Sequence, residues 1–445
     1  MARGPAHTSV LTIVALAAAA TVGAADFSDK HGFTVSAGGE YQYISQEFYR
    51  NVVDTMSTDI IETWRLDTDQ IDEFILKAMA GYNNRSRSSH FSLSADAETS
   101  TERFLGRAES FYRLGDYDDN IGFSAKVESK APYDKGNEQL EGYNFYEVST
   151  KARRRLSRIV ALEGKIGYER VSFTDAAVED SVIQRRAAFP TYDYSVLSGQ
   201  VGGEFFLTEL GHELSWFAAY RNRHVPDSMV ANYDQYQVGL EYRHSRVSTM
   251  LDLAGEVEVK DYARPVGMDD FFAITIRGHG AKEIGDKWET ALVLGADIYR
   301  FDQPDLVNRD YWLLTGELEG SYRISGVEGG PLVRIEFRDE ELLPVDTVEY
   351  YSEAFNQFEG GLQAGSTSLG ELFFDVELTY GRRNYRGGMS LLTSYDFVAV
   401  SLMGNYTITR NFSLNMMLEG ETERHERKED DANLYLFSGG VTARF

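Results

Sequence analysis

The sequence contains no cysteine and only 8 prolines in 445 residues. Without Cys there is no disulfide, no thiolate metal site and no Cys nucleophile. After the first 25 residues, no run approaches the roughly 18 consecutive apolar residues that a membrane-spanning helix needs. Nor is there a long stretch of helical periodicity with caps. Basic charge is scarce as well. Asp and Glu number 70 against 44 Lys and Arg, a formal net charge of -26, which argues against a general nucleic-acid binder with its basic footprint. Catalytic signatures are missing too: no G-x-S-x-G elbow, no H-E-x-x-H and no P-loop.

What is present begins at the N-terminus. "MARGPAHTS" carries one positive charge, Arg3, and "VLTIVALAAAA" follows as a short apolar core. "TVGAAD" then supplies small residues for cleavage after Ala24 or Ala25. That is the pattern of a secretory signal, too short to span a bilayer. Residues 1–25 are therefore expected to be removed, leaving 26–445 as one domain, more acidic still. Only a few residues then precede the first strand, so a plug, a long binding arm or periplasmic repeats have no room there.

Period-2 alternation recurs along the rest in segments bounded by turn residues. "YQVGLEYRH" sets Tyr236, Val238, Leu240 and Tyr242 against Gln237, Gly239, Glu241 and Arg243. "ELFFDVELTYG" sets Leu372, Phe374, Val376, Leu378 and Tyr380 against Phe373, Asp375, Glu377 and Thr379. Soluble sandwiches alternate too, so three further features decide the class. The strands are long, near the 9 to 11 residues of a tilted spanning strand. Aromatics gather near strand ends, as at Tyr41/Tyr43, Phe111/Tyr112, Tyr299/Phe301, Tyr311/Trp312 and Tyr350/Tyr351, where lipid-facing girdles are expected. The connections alternate between tight turns such as "NNRSRS", "GDYDD" and "HS" and longer loops such as 174–193 and 341–352; only 100–102 breaks the rule.

The pattern predicts an all-β, closed antiparallel transmembrane barrel of about twenty strands, within a range of 18 to 22. In lipid every backbone polar group must be paired, so a strand-built span has to close. No Asp, Glu, Lys or Arg occurs among the outward residues quoted, as a lipid face requires. With its signal peptide, its strand pattern and the closing "YLFSGGVTARF", the chain resembles bacterial outer-membrane β-barrel proteins of the porin-like and exporter-like kind. That resemblance implies short periplasmic turns and long outer loops. It also implies that Tyr435, Phe437, Val441 and Phe445 form the signal read by the barrel-assembly machinery.

The function then has to lie in the lumen. The ladder Asp252, Glu256, Glu258 and the strand pairs Glu317/Glu319 and Asp375/Glu377 are the candidate selectivity acids, with Arg277, Arg323 and Arg334 among the bases. Facing charges pair across strands in the plainer reading; acidic rings favour cations in the sharper one. The expected function is passive or selective diffusion of small hydrophilic solutes, weakly favouring cations. The alternatives are an export pore for a polysaccharide or other polymer with a periplasmic partner, and a non-conducting scaffold barrel. No enzyme activity, metal or cofactor is expected; His279 beside Arg277 is the one loose candidate for a hydrolase site, the remaining His being dispersed without ligand spacing. The acidic loops 46–70 and 340–353 are expected to form a solvated acidic rim, with divalent cations bridging it, or bridging it to lipopolysaccharide, as the functional alternative. Loop 46–70 either folds inward, given its apolar content, or forms two further strands. "KARRRLSR" (151–158) is expected at a periplasmic turn, facing anionic head groups.

Overall fold

In the computed structural model the description covers residues 31–54, 61–86, 88–100, 103–116, 118–132, 142–173, 193–207, 211–226, 232–263, 270–302, 309–340, 354–366, 371–386 and 393–444. The expected signal peptide, Tyr350, Tyr351 and Phe445 lie outside them.

Alternation over these stretches produces twenty strands. The first ten are β1 (His31–Asp54), β2 (Ile61–Arg85), β3 (Ser89–Thr99), β4 (Arg103–Gly115), β5 (Asp119–Pro132), β6 (Tyr143–Arg155), β7 (Val160–Phe173), β8 (Tyr194–Leu207), β9 (His212–His224) and β10 (Tyr233–Arg246). The second ten are β11 (Thr249–Tyr262), β12 (Phe271–Ile284), β13 (Trp288–Phe301), β14 (Tyr311–Ile324), β15 (Val327–Glu340), β16 (Phe355–Ser366), β17 (Leu372–Tyr385), β18 (Tyr395–Thr409), β19 (Phe412–His425) and β20 (Ala432–Arg444). Each pairs antiparallel with the next, and β20 pairs with β1, closing one 20-stranded barrel.

One facing rule passes round the whole circle. Phe33 opposes Tyr82, Tyr82 opposes Leu93, and the same face continues through Tyr112 with Phe123 to Leu418 with Phe437. It meets itself where Phe437 opposes Tyr43. This face is apolar yet open: Ile166 is 67% exposed, Leu362 63% and Val238 59%. Water would oppose such a surface; the acyl chains of a bilayer would cover it. Charged residues take its register mostly near strand ends, at positions such as Arg154, Asp234, Lys282, Arg382 and Arg424, with Asp72 of the long strand β2 an exception. On β17 the outward positions from Leu372 to Tyr380 are uncharged and rise about 20 Å at about 3.3 Å per residue and 40° tilt, approaching the height of a lipid-facing band.

The opposite face is the concave one. On it side chains reach past an intervening strand: Arg153 of β6 to Glu204 of β8 at 2.8 Å, Gln363 of β16 to Glu319 of β14 at 3.0 Å, and Arg221 of β9 to Glu169 of β7 at 3.7 Å. Strand spacing of about 4.8 Å makes such reaches easiest where the wall curves inward.

The tight connections follow from local chemistry. Ser325 at φ 50° and Gly326 at φ 84° form a two-residue link between Ile324 and Val327. Positive φ at both positions matches the twist of a hairpin, and Gly meets it without strain. Asp116 instead accepts from the backbone N–H of Asp118 (3.0 Å) and Asp119 (2.8 Å) to turn β4 into β5.

Two expectations change. The described parts of 46–70, residues 46–54 and 61–70, add no further strands to the barrel; β1 and β2 run on in register out to Asp54 with Ile61. β20 accompanies β1 only as far as Phe48, and β3 accompanies β2 only from Leu76, so the hairpin's end is a two-stranded ribbon beyond its neighbours. The alternation of 61–65 belongs to β2. The alternation also predicts a strand over 331–340, whereas β15 starts at Val327, before Pro331. The β14–β15 register lapses between Glu319 with Leu332 and Tyr322 with Gly329, where proline has no N–H to donate.

Candidate functional site: the lumen wall

Because side chains alternate, every second residue of twenty strands lines one interior. Asp252, Glu256, Glu258, Arg277, Glu317, Glu319, Arg323, Arg334, Asp375 and Glu377 all take the inward register. They do not form one ring, however. The structure divides them into separate groups.

The largest group centres on Arg334 of β15. Its guanidinium pairs with Glu317 of β14 and Glu377 of β17, and with Glu359 of β16 at 3.2 Å. One base thus holds three carboxylates across four strands. Beside it Glu319 accepts from Gln363 and has no basic partner among the described residues. Toward the tight-turn end, Arg323 binds Glu328 at 3.0 Å and approaches Glu289 at 3.9 Å. A recess of about 250 Å³ opens there, lined by Glu289, Glu319, Glu328, Gln363 and Asp375. Three successive inward positions of β19 are Glu419, Glu421 and Glu423.

The second group is on β11 and its neighbours. Asp252 pairs with Arg243 at 3.3 Å, and Glu258 accepts from Gln235 (2.8 Å) and Gln237 (3.2 Å). Glu256 has no ion pair among the described residues. Arg277 turns away from this ladder to Asp297 of β13 at 2.8 Å, and Asp297 also accepts from Thr275 at 3.0 Å. His279 lies inward, opposite Asp252 and Val293 in register. Among the described residues no cluster of three or more His, Asp or Glu is placed to hold a metal ion.

Across the barrel the sign reverses. On β4 to β6 the inward row is rich in bases, among them Arg103, Arg107, Lys126, Lys130, Lys151 and Arg153. Some are neutralised: Arg107 approaches Glu128 at 3.3 Å and Asp96 at 3.7 Å, and Lys151 binds Glu163 at 2.8 Å. In a circle of twenty, β5 lies opposite β15. The lumen is therefore polarised across its width, with a basic arc facing an acidic wall. Reading charges strand by strand would have revealed this segregation; treating them as mixed pairs concealed it.

The aromatics divide as well. The expected girdle holds for Tyr41, Tyr43, Tyr112 and Trp312, and at the tight-turn end Phe33, Tyr82, Phe91 and Tyr112 run edge to edge round the lipid face. Phe111, Tyr299, Phe301 and Tyr311 instead face the lumen, one register step from their outward neighbours. They are not lipid-facing. With Tyr233, Phe271, Phe355 and Tyr395 most of them form an inner belt near the long-loop end. Tyr299 stacks on Tyr311 with centroids 4.8 Å apart. Bases lie over the rings: Arg338 is 4.7 Å from Tyr311 and Arg383 4.2 Å from Phe355.

Of the expected assembly residues, Tyr435, Phe437 and Val441 lie on the outward register of β20, beside Ser45, Tyr43 and Gly39 of β1. In the basic run 151–158, Arg154 takes the outward register and Arg155 builds the turn. It reaches Asp118 at 2.9 Å and the carbonyls of Ser157 (3.1 Å) and Arg158 (2.8 Å).

No protein-family model matches the sequence, and no curated protein matches it significantly. Solved structures do match the fold. The copper transporter OprC aligns with a TM-score of 0.55 at 11% identity, covering 95% of this chain and 81% of that one. The siderophore receptor PirA from Pseudomonas aeruginosa gives 0.52 at 11% identity, covering 92% and 80%. The alcaligin outer membrane receptor FauA from Bordetella pertussis gives 0.52 at 10% identity, covering 91% and 76%. The chain has the fold of outer-membrane β-barrels.

Proposed function

We propose that this barrel sits in the bacterial outer membrane and passes small hydrophilic solutes through its lumen by diffusion, with a weak preference for cations. The observation that carries the reading is the two-faced wall. Its outside bears an uncharged band of bilayer height, and its inside bears polar and charged side chains on every strand. Such a lining serves water and hydrated solutes. The proteins that share the fold include an outer membrane receptor and a copper transporter, which fits a barrel that moves cargo.

Acids outnumber bases along the inward rows, most strongly on β13 to β19, and carboxylates favour cations in a pore. The same excess speaks against export of an acidic polymer, which would need a lining dominated by Arg and Lys. The assembly machinery and lipopolysaccharide are the partners this placement implies. Single-channel recording in a planar bilayer tests the reading. Stepwise conductance with a reversal potential of cationic sign in a salt gradient is expected. A reversal of anionic sign sinks the selectivity, and negligible conductance from folded barrel would leave the scaffold alternative standing.

A further inference from the structure

Among the described residues, two bases of the inner belt form no ion pair with a carboxylate. Arg223 on β9 and Lys260 on β11 flank β10 at the long-loop end. Tyr233 of β10 opposes both Arg223 and Tyr262, while Lys260 opposes Gln235 and Phe271. The Arg223 guanidinium lies 4.3 Å from the ring centre of Tyr194. The Lys260 ammonium lies 4.1 Å from that of Tyr233, 5.2 Å from Tyr262 and 5.7 Å from Phe271. Among the described residues neither base has an acidic group within 4 Å, and Arg223 Nε is buried without a hydrogen-bond partner. The nearby acids are engaged elsewhere. Glu169 is approached by Arg221 at 3.7 Å, and Glu258 is held by Gln235 and Gln237.

Ring faces compensate such charges only in part, by about 0.5 to 2 kcal/mol each. A buried donor left unmet retains the cost of its lost hydration. An arriving anion would remove that cost. The surrounding aromatic faces add a preference for a flat apolar group, which stacks or packs edge-on against them. Engaged carboxylates close by disfavour a ligand of high negative charge. We propose that this nest is a binding subsite for solutes that combine a single carboxylate with a flat aromatic ring. The carboxylate would bridge the Lys260 ammonium and the Arg223 guanidinium, and the ring would lie against Tyr262 and Phe271. A small anion without a ring gains only the charge, and a neutral aromatic gains only the stacking.

Calorimetry on the folded full-length barrel at low salt tests this, with benzoate, benzamide, acetate and inorganic phosphate as probes. Benzoate is expected to bind at least about tenfold more tightly than the other three, because charge and ring contacts act together. Lys260→Met and Arg223→Gln should each weaken benzoate about tenfold, Lys260→Arg should restore most of the affinity, and heat-modifiable migration in gels identifies the variants that are folded. Acetate, benzamide or phosphate binding as well as benzoate overturns the proposal. So does unchanged benzoate affinity in folded Lys260→Met and Arg223→Gln. The readout is binding, so its failure leaves the conductance reading of the whole pore untouched.

Discussion

The wall formed by β4 to β7 and the wall formed by β13 to β19 share a backbone, a ladder and an uncharged outer band. They differ only in the charges of their inner rows. On the first, Arg107, Lys126, Lys151 and Arg153 each find at least one acid, and bases remain in excess. On the second, a single Arg334 is shared by three carboxylates, and Glu319 has no basic partner among the described residues. Backbone architecture thus leaves the interior free to vary, because a lumen position pays no lipid penalty. An outward Arg or Lys at mid-membrane costs about 2 to 4 kcal/mol, so the outer rows stay uniform while the inner rows specialise.

The largest change should come from erasing the acidic wall. A fourfold variant, Glu317→Gln, Glu319→Gln, Asp375→Asn and Glu377→Gln, removes four carboxylates from the centre of that wall and leaves Glu359 and the Glu419, Glu421 and Glu423 row in place. One charge at about 5 Å in a water-like dielectric is worth roughly 0.8 kcal/mol, or about fourfold in ion partition before screening. The reversal potential should therefore shift toward anions; an unchanged potential would place selectivity elsewhere. A smaller effect is expected from the other side. Neutralising Arg107, Lys126 and Lys151 to Gln removes bases that are already partly paired, so the cation-to-anion permeability ratio should rise only about twofold by the same arithmetic. A fall in that ratio would refute the assignment of the two arcs. The smallest effect is that of salt. Screening shortens from about 10 Å at 0.1 M to about 3 Å at 1 M, so the difference between parent and fourfold variant should shrink as both bathing solutions are raised together. A gap that persists at 1 M would indicate contact binding and not the field of the wall.

Much of this was legible in the sequence, because a barrel repeats one simple rule. Period-2 alternation located all twenty strands, and the alternation of short and long connections fixed their direction. It also assigned the inward acids and bases to their face, since parity cannot slip without turning a whole strand over. What escaped depends on facts that parity does not encode. Tyr311 and Trp312 are adjacent aromatics at one strand end, and only one of them can face lipid; reading both as girdle ignored the alternation used elsewhere. Pro331 suggested a strand boundary, yet the ladder accommodates it with a local lapse. Arg334 and Glu377 are separated by a whole strand, so their contact depends on wall curvature. The nest around Lys260 likewise brings together residues of five strands, which no local pattern links.

The seam between the first and last strands has a consequence for the path of any cargo. β20 and β1 stay in register from Ser36 with Arg444 to Phe48 with Ala432. At this seam the ladder is continuous. Prising it open sideways would strip a row of backbone donors and acceptors in hydrocarbon, at several kcal/mol for each unsatisfied group. On the proposed diffusion reading, solutes are therefore confined to the axis, and one that enters at one mouth must pass the full depth of both charged walls before it leaves by the other.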